Sequence, residues 1–540
     1  MKKLISLLLC LLMIFSVVAP ANAIYEVDKI SDPTIDSPVV YIRGAGKNLY
    51  KNNIENDDEI IYPMSVDFNS IIGEFDLVTV DLILGLISDN YEAYVDRVYN
   101  IFAPIFEEVV LDKNGEVKDN SGNGPQDPIP NKKSNFRLWD NDFGYDFRED
   151  LVKVAGELNA YIKEVKRITG KEKISLVGRC LATNLIAAYL TFYEEEAVKD
   201  IDNLILYVPA TEGVDLISKL FSGQIKIQAD NLDEFADFFL NNKNLIDDPV
   251  IVEFITVLLE FLEYAKVLGL GMDAFQLLVD RLQYELIPKL GLASFVSFPS
   301  YWSMVNPEDF EAAKSLVFAG QEEEYAGLIE KIDRFHEKVQ VPFPQLLEKL
   351  KKGDENGNIN ISIIAKYNIP NIPISEASRQ LGDFMASTKQ LSYGATCAPH
   401  GQVLTQSYID SLGDTRYLSP DNKVDASTCL FPDNTWFMKN SLHDHFPNDG
   451  NRLIAELINK KGNVTVWDSE AFPQYIEYID IEGSDEGIFI PVEGETEPVE
   501  PEKGSDEERM SMFMRFFTAI LRFFTKLFNG DFKNLFKKIK

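Results

Sequence analysis

KEKISLVGRCLATNLIAAYL, residues 171–190, carries two periodicities back to back. Ile174 to Val177 is a short, mostly apolar run of the length a buried parallel strand needs. Leu181, Ile186, Ala187 and Leu190 then recur at helical spacing, so the implied order is strand, sharp turn, helix. The turn is Gly178-Arg179-Cys180-Leu181-Ala182. Small residues at 178 and 182 suit a strained backbone at 180, because the helix must fold back tightly on the strand. Cys180 stands where that turn meets the helix N-terminus.

The surrounding chain alternates strand and helix patterns, as an α/β fold requires. Upstream, Val39-Val40-Tyr41-Ile42 is a β-branched and aromatic run ending at Arg43-Gly44-Ala45-Gly46. A helical region is expected over residues 77–110, a surface loop over 112–132 and a strand over Phe136 to Trp139. Tyr145-Asp146-Phe147-Arg148 then opens an amphipathic helix carrying Leu151, Val154, Leu158, Ile162 and Val165. Downstream, residues 204–209 read as the next parallel strand. Residues 213–352 are helical and apolar-rich, including the run from Val250 to Gly271, which Glu253, Glu260, Glu263 and Lys266 disqualify as a membrane span. Strand pattern returns over Ile359 to Lys366, a loop-rich stretch fills residues 367–417, and Thr435 to Met438 forms an aromatic strand before a last helix over Leu453 to Asn459.

From Tyr145 to Leu190 the chain resembles the lecithin:cholesterol acyltransferase-like lipases of the α/β-hydrolase superfamily. A Tyr-Asp-aromatic-Arg step, a helix of about twenty residues, then strand, turn and helix share that family's order and spacing, and residues 178–182 resemble its G-x-S-x-G nucleophile elbow with cysteine for serine and Ala182 for the second glycine. The resemblance implies an α/β-hydrolase core, a mostly parallel sheet flanked by helices, over residues 24–212 and 353–481, with residues 213–352 as a helical cap over an acyl pocket. It also implies nucleophile Cys180, acid Asp421 with Asp425 as alternative, and base His443 with His445 as alternative, in the superfamily's chain order. Backbone N–H groups of Ala45 and Leu181 become the expected oxyanion hole, with Arg43 in place of the usual histidine. Asp421-Asn422-Lys423-Val424 stands for the family's Gly-Asp-x-x-Val, without its glycine. His336 and His400 are expected to be structural.

The expected function is a secreted acyl hydrolase or acyltransferase acting on lipid-like esters or thioesters through a covalent acyl-enzyme. The alternative is an inactive hydrolase-fold protein that binds a ligand or partner at the cell surface, favoured by the replacements at 180 and 43. No spacing of His, Cys or carboxylates indicates a metal, and no Gly-rich loop indicates a nucleotide, so no cofactor is expected. A formal charge of −34 excludes nucleic acid as a natural partner.

Residues 1–23 read as a secretory signal peptide: Lys2-Lys3, an apolar run from Leu4 to Val18, then Ala21-Asn22-Ala23. Beyond it stand Cys180, Cys397 and Cys429, which divide naturally into one pair, Cys397 with Cys429, and one free thiol. Residues 482–509, crowded with Glu, Gly and Pro, are expected to be a disordered acidic linker. Between Arg509 and Lys540 eight basic residues face only Asp531. Residues 510–540 therefore read as a basic amphipathic helix suited to lying on an anionic membrane.

Overall fold

The computed structural model describes residues 34–45, 48–64, 77–124 (except 79, 83 and 86), 138–228, 235, 238–239, 272–353, 358–446, 448–460, 462–480 and 487–494. The expected signal peptide, the run from Val250 to Gly271, most of the acidic linker and the basic tail lie outside these residues.

The described chain is an α/β structure built on one seven-stranded sheet whose strands lie side by side in chain order. They are β1 (Val39–Ile42), β2 (Ile174–Arg179), β3 (Ile201–Tyr207), β4 (Asn360–Tyr367), β5 (Thr435–Lys439), β6 (Tyr475–Asp480) and β7 (Gly487–Pro491). The first six pair in parallel, and β7 closes the edge antiparallel to β6. Among the helices are α1 (Glu92–Phe106), α2 (Leu151–Thr169), α3 (Leu181–Phe192), α4 (Asp215–Phe221), α5 (Met272–Leu286), α6 (Phe310–Val317), α7 (Ala326–Phe335), α8 (Phe343–Lys352) and α9 (Asn448–Asn459).

Alternation along each strand feeds two cores. Val40, Ile42, Ile174, Leu176, Leu204 and Leu206 face one, shared with α2, α3 and the helices between β3 and β4. Val39, Tyr41, Val177, Ile205 and Tyr207 face the other, shared with α9. Each fully buried Leu, Ile or Val contributes roughly 1.5–3 kcal/mol. Helix α2 starts where the Asp150 side chain accepts from the Val152 N–H and stops at Gly170, whose φ of 66° suits glycine.

Four expectations need correction. Of the strand expected over Phe136 to Trp139, residues 136 and 137 lie outside the described residues, and Leu138 and Trp139 belong to a 3-10 turn, Leu138–Asn141, held at its start by the Leu138 N–H donating to Asn451. The sheet does not end before residue 482, because β7 lies inside the expected linker and pairs with β6 from Ile476↔Pro491 to Asp480↔Gly487. The long helical region is broken at Asp89, whose φ is 51°, so α1 begins at Glu92. Cys397 and Cys429 are both free thiols, and the Cys397 thiol donates to the Ala395 carbonyl.

Candidate active site

Because β1 to β6 run parallel, the segments leaving their C-terminal ends gather at one edge of the sheet, where open α/β sheets bind ligands. Cys180 follows β2 directly. Its φ of 53° and ψ of −126° are strained for a residue with a side chain, at a cost of about 1–3 kcal/mol. Neighbours hold that geometry: the Cys180 N–H donates to Tyr207 O (3.1 Å), and the Thr183 N–H and hydroxyl donate to Cys180 O (2.9 and 2.6 Å). Gly178 lets Ile186 pack close: a Cβ there would stand 2.4 Å from Ile186 Cδ1, which would have to shift. The thiol sits at the head of the twelve-residue α3, where the helix dipole favours negative charge.

Leaving β1, Gly44 passes against the thiol. A Cβ at Gly44 would lie 3.0 Å from Cys180 Cβ and 3.6 Å from its sulfur. The loop bearing Ala45 is thereby brought beside Cys180. Leu181 opens α3, so its N–H has no intrahelical acceptor. Arg43 turns aside to pair with Asp142 at 3.0 Å.

His443 follows β5 and is buried. Its Nδ1 meets Asp383 Oδ2 at 2.6 Å, and its backbone N–H donates to Asp383 O at 2.9 Å. Its ring is also near enough to the Cys180 side chain for the sulfur to favour the protonated imidazole. Burial pulls the imidazole pKa down, but the Asp383 carboxylate and the Cys180 sulfur outweigh it, and His443 is pushed up to about 10. Asp383 is fully buried, which raises its pKa, yet His443, the Ala386 N–H on its Oδ1 and nearby Lys366 leave it below the usual carboxylate range, and the Met385 N–H also donates to Oδ1.

The carboxylate that pairs with His443 is therefore Asp383, on the segment after β4, and not Asp421. Asp421 accepts from the Ser419 hydroxyl (2.6 Å) and Tyr367 hydroxyl (3.3 Å) and pairs with Lys439 (3.3 Å). Asp425 is likewise occupied, capping the turn at Ser427 and accepting from Tyr408. His445 is placed differently: burial, Lys366 and Arg179 push it down to about 3, and its ring packs edge-on against Tyr478. His336 stacks on Phe310 with ring centroids 3.9 Å apart, and the His400 N–H donates to Arg379 O.

The Tyr145 to Arg148 step has two roles. Arg148, almost wholly buried, is gripped by Asp146 and donates to Val109 O and Ser121 Oγ at 3.1 Å each, so it ties down the preceding loop. Tyr145 lies in the field of Cys180, as does Tyr301 from the helical insertion; burial raises both phenols well above their ordinary value, helped next by Cys180 at Tyr145 and by Tyr62 and then Cys180 at Tyr301.

Two buried cations hold the carbonyl side of the His443 segment. Arg179 Nη2 donates to Asp444 Oδ1 (2.7 Å) and His443 O (3.3 Å), and Lys366 Nζ donates to the carbonyls of Leu442, His443 and His445. Neither role was visible in the sequence. Among the described residues no cluster of His, Cys, Asp and Glu could hold a metal, and no helix is long and apolar enough to cross a membrane. No protein-family profile, curated protein or solved structure matches the chain.

Proposed function

We propose that this chain is a thiol-dependent acyl hydrolase or acyltransferase with an α/β-hydrolase core of the lecithin:cholesterol acyltransferase-like type. The observation that carries the reading is His443 bonded to buried Asp383 and standing within the influence of a backbone-strained Cys180 at a helix N-terminus. That is the nucleophile, base and orienting acid of covalent acyl transfer, in the chain order Cys180, Asp383, His443.

In the proposed reaction the Cys180 sulfur attacks an ester or thioester carbonyl while His443 holds the proton the thiol gave up. N–H groups of Leu181 and Ala45 receive the oxyanion, each worth about 3 kcal/mol in comparable sites. The C–O or C–S bond then breaks, and His443 gives its proton to the departing alcohol or thiol. A thioester on Cys180 remains. Neutral His443 next takes a proton from water or an acceptor alcohol, whose oxygen attacks the thioester and expels the thiolate, leaving acid or new ester. Asp383 holds the Nδ1–H throughout, keeping Nε2 toward the sulfur. Apolar helices of the 213–352 insertion suit a lipid-like acyl chain. A secreted protein held to an anionic membrane by residues 510–540 fits the leader-like start and basic tail.

The test is turnover of p-nitrophenyl esters from acetate to palmitate by the full chain and by Cys180→Ala. Turnover with a chain-length optimum, lost in the variant, is expected. Equal rates for both proteins would overturn the proposal.

A further inference from the structure

We infer that Lys366 is a positioning residue for the base: its ammonium holds the peptide groups on either side of His443 and so aims the imidazole at Cys180. The inference rests on the acyl-transfer reading of the site. Lys366 lies at the end of β4, wholly buried, and its Nζ has three carbonyl acceptors, Leu442 O, His443 O (3.1 Å) and His445 O. These belong to the segment after β5, which is neither helix nor strand, so its carbonyls have no ladder to join. Asp383 holds the N–H side of His443; Lys366, with Arg179, holds the carbonyl side.

A lysine here is expensive to bury. Taking an ammonium out of water costs several kcal/mol, and methionine fills a similar volume without that cost. What methionine lacks is three N–H donors. A neutral amine has two, so satisfying all three carbonyls calls for the charged form. Burial and Arg179 work against that charge, bringing Lys366 down to about 7, while Asp383 and Asp444 support it. The Tyr207 ring, 5.2 Å from Nζ, adds a cation–π contact.

The experiment is the pH dependence of Cys180 alkylation by iodoacetamide in the wild type, Lys366→Met and His443→Ala, in a Cys397→Ser/Cys429→Ser background. A free thiol of pKa about 8.5 is about 3% ionised at pH 7, so loss of the pairing with His443 slows alkylation about 30-fold. Lys366→Met is expected to fall to the His443→Ala rate at pH 7, its alkylation profile moving to higher pH, with native circular dichroism. Should Lys366→Met not fold, Lys366→Gln, which keeps two donors, carries the same measurement and is expected to slow alkylation at least fivefold. A folded variant with the wild-type profile overturns the inference, as does a wild type that alkylates no faster than His443→Ala. Alkylation needs no acyl substrate, so a protein that turns over no ester can still pass this test.

Discussion

Asp383→Asn is the most informative single change, because the structure fixes how the new amide must sit. Asp383 Oδ1 accepts from the N–H groups of Met385 (3.1 Å) and Ala386 (2.9 Å), while Oδ2 faces His443 Nδ1 at 2.6 Å. Only oxygen can accept those two backbone donors. Asparagine therefore keeps its oxygen there and turns its NH2 toward Nδ1, which must become an acceptor. The ring proton moves to Nε2, the nitrogen that has to receive the thiol proton. The same substitution in a serine triad costs about 10^4 in kcat for this reason. A cysteine ionises more readily than a serine, so a fall of about 10^3 is expected, with KM within threefold, read from steady-state ester hydrolysis at pH 7. His443 also loses the main support for its proton. Its pKa should fall from about 10 toward the ordinary 6.5, visible as a loss of the Cys180 alkylation plateau below neutral pH. Folded Asp383→Asn protein within tenfold of wild-type kcat would refute the assignment.

Asp421→Asn is the matched control. It should leave kcat within about threefold while lowering stability by about 1–3 kcal/mol in urea denaturation, since it weakens a buried pair with Lys439 that Glu477 still shares. Gly44→Ala sets a methyl 3.0 Å from Cys180 Cβ, so ester turnover should drop at least tenfold with little change in melting temperature. Gly178→Ala meets Ile186 Cδ1 at 2.4 Å and should cost about 1–3 kcal/mol, part of which Ile186→Val restores by removing that atom. The Asp383–His443 pair also sets a pH signature. His443 is raised from 6.5 to about 10 on folding, so its contribution is complete below pH 6.5 and fades toward pH 10. Asp383 is lowered from 3.8, so its contribution is present above that value and is lost on further acidification. The stability deficit of His443→Ala should therefore be largest between about pH 4 and 6.5; a deficit that grows above pH 8 would contradict the pairing.

What the sequence disclosed follows from how local its signals are. Strands β1 to β5, helices α2 and α3 and the turn at Cys180 are written in contiguous residues whose periodicity can be read directly. His443 was within reach because it follows β5 by only a few residues. The carboxylate partner of His443 was missed for the opposite reason. Its signal, Gly382-Asp383, was present, but it lies in a long segment after β4 with no regular pattern, and Asp421 offered a valine at the expected spacing. Gly382 is in fact packed where any Cβ would strike Asn371, at 2.0 Å from its Oδ1. Lys366 was illegible because lysine in an apolar strand is ordinarily an exposed edge, and only the folded chain brings residues 442–445 over it. Strand β7 was hidden by its acidic, Gly-rich flanks, which outweigh five residues in any composition window.

The central claim, a covalent acyl-enzyme on Cys180, is tested most directly by intact mass and peptide mapping of the full chain mixed with p-nitrophenyl esters and quenched in acid within seconds. The account predicts an added acyl mass confined to the Cys180 peptide, labile to hydroxylamine as a thioester is, absent in Cys180→Ala and slower to form in Asp383→Asn. An adduct located on a residue other than Cys180, or turnover without any adduct and undiminished in Cys180→Ala, would contradict it.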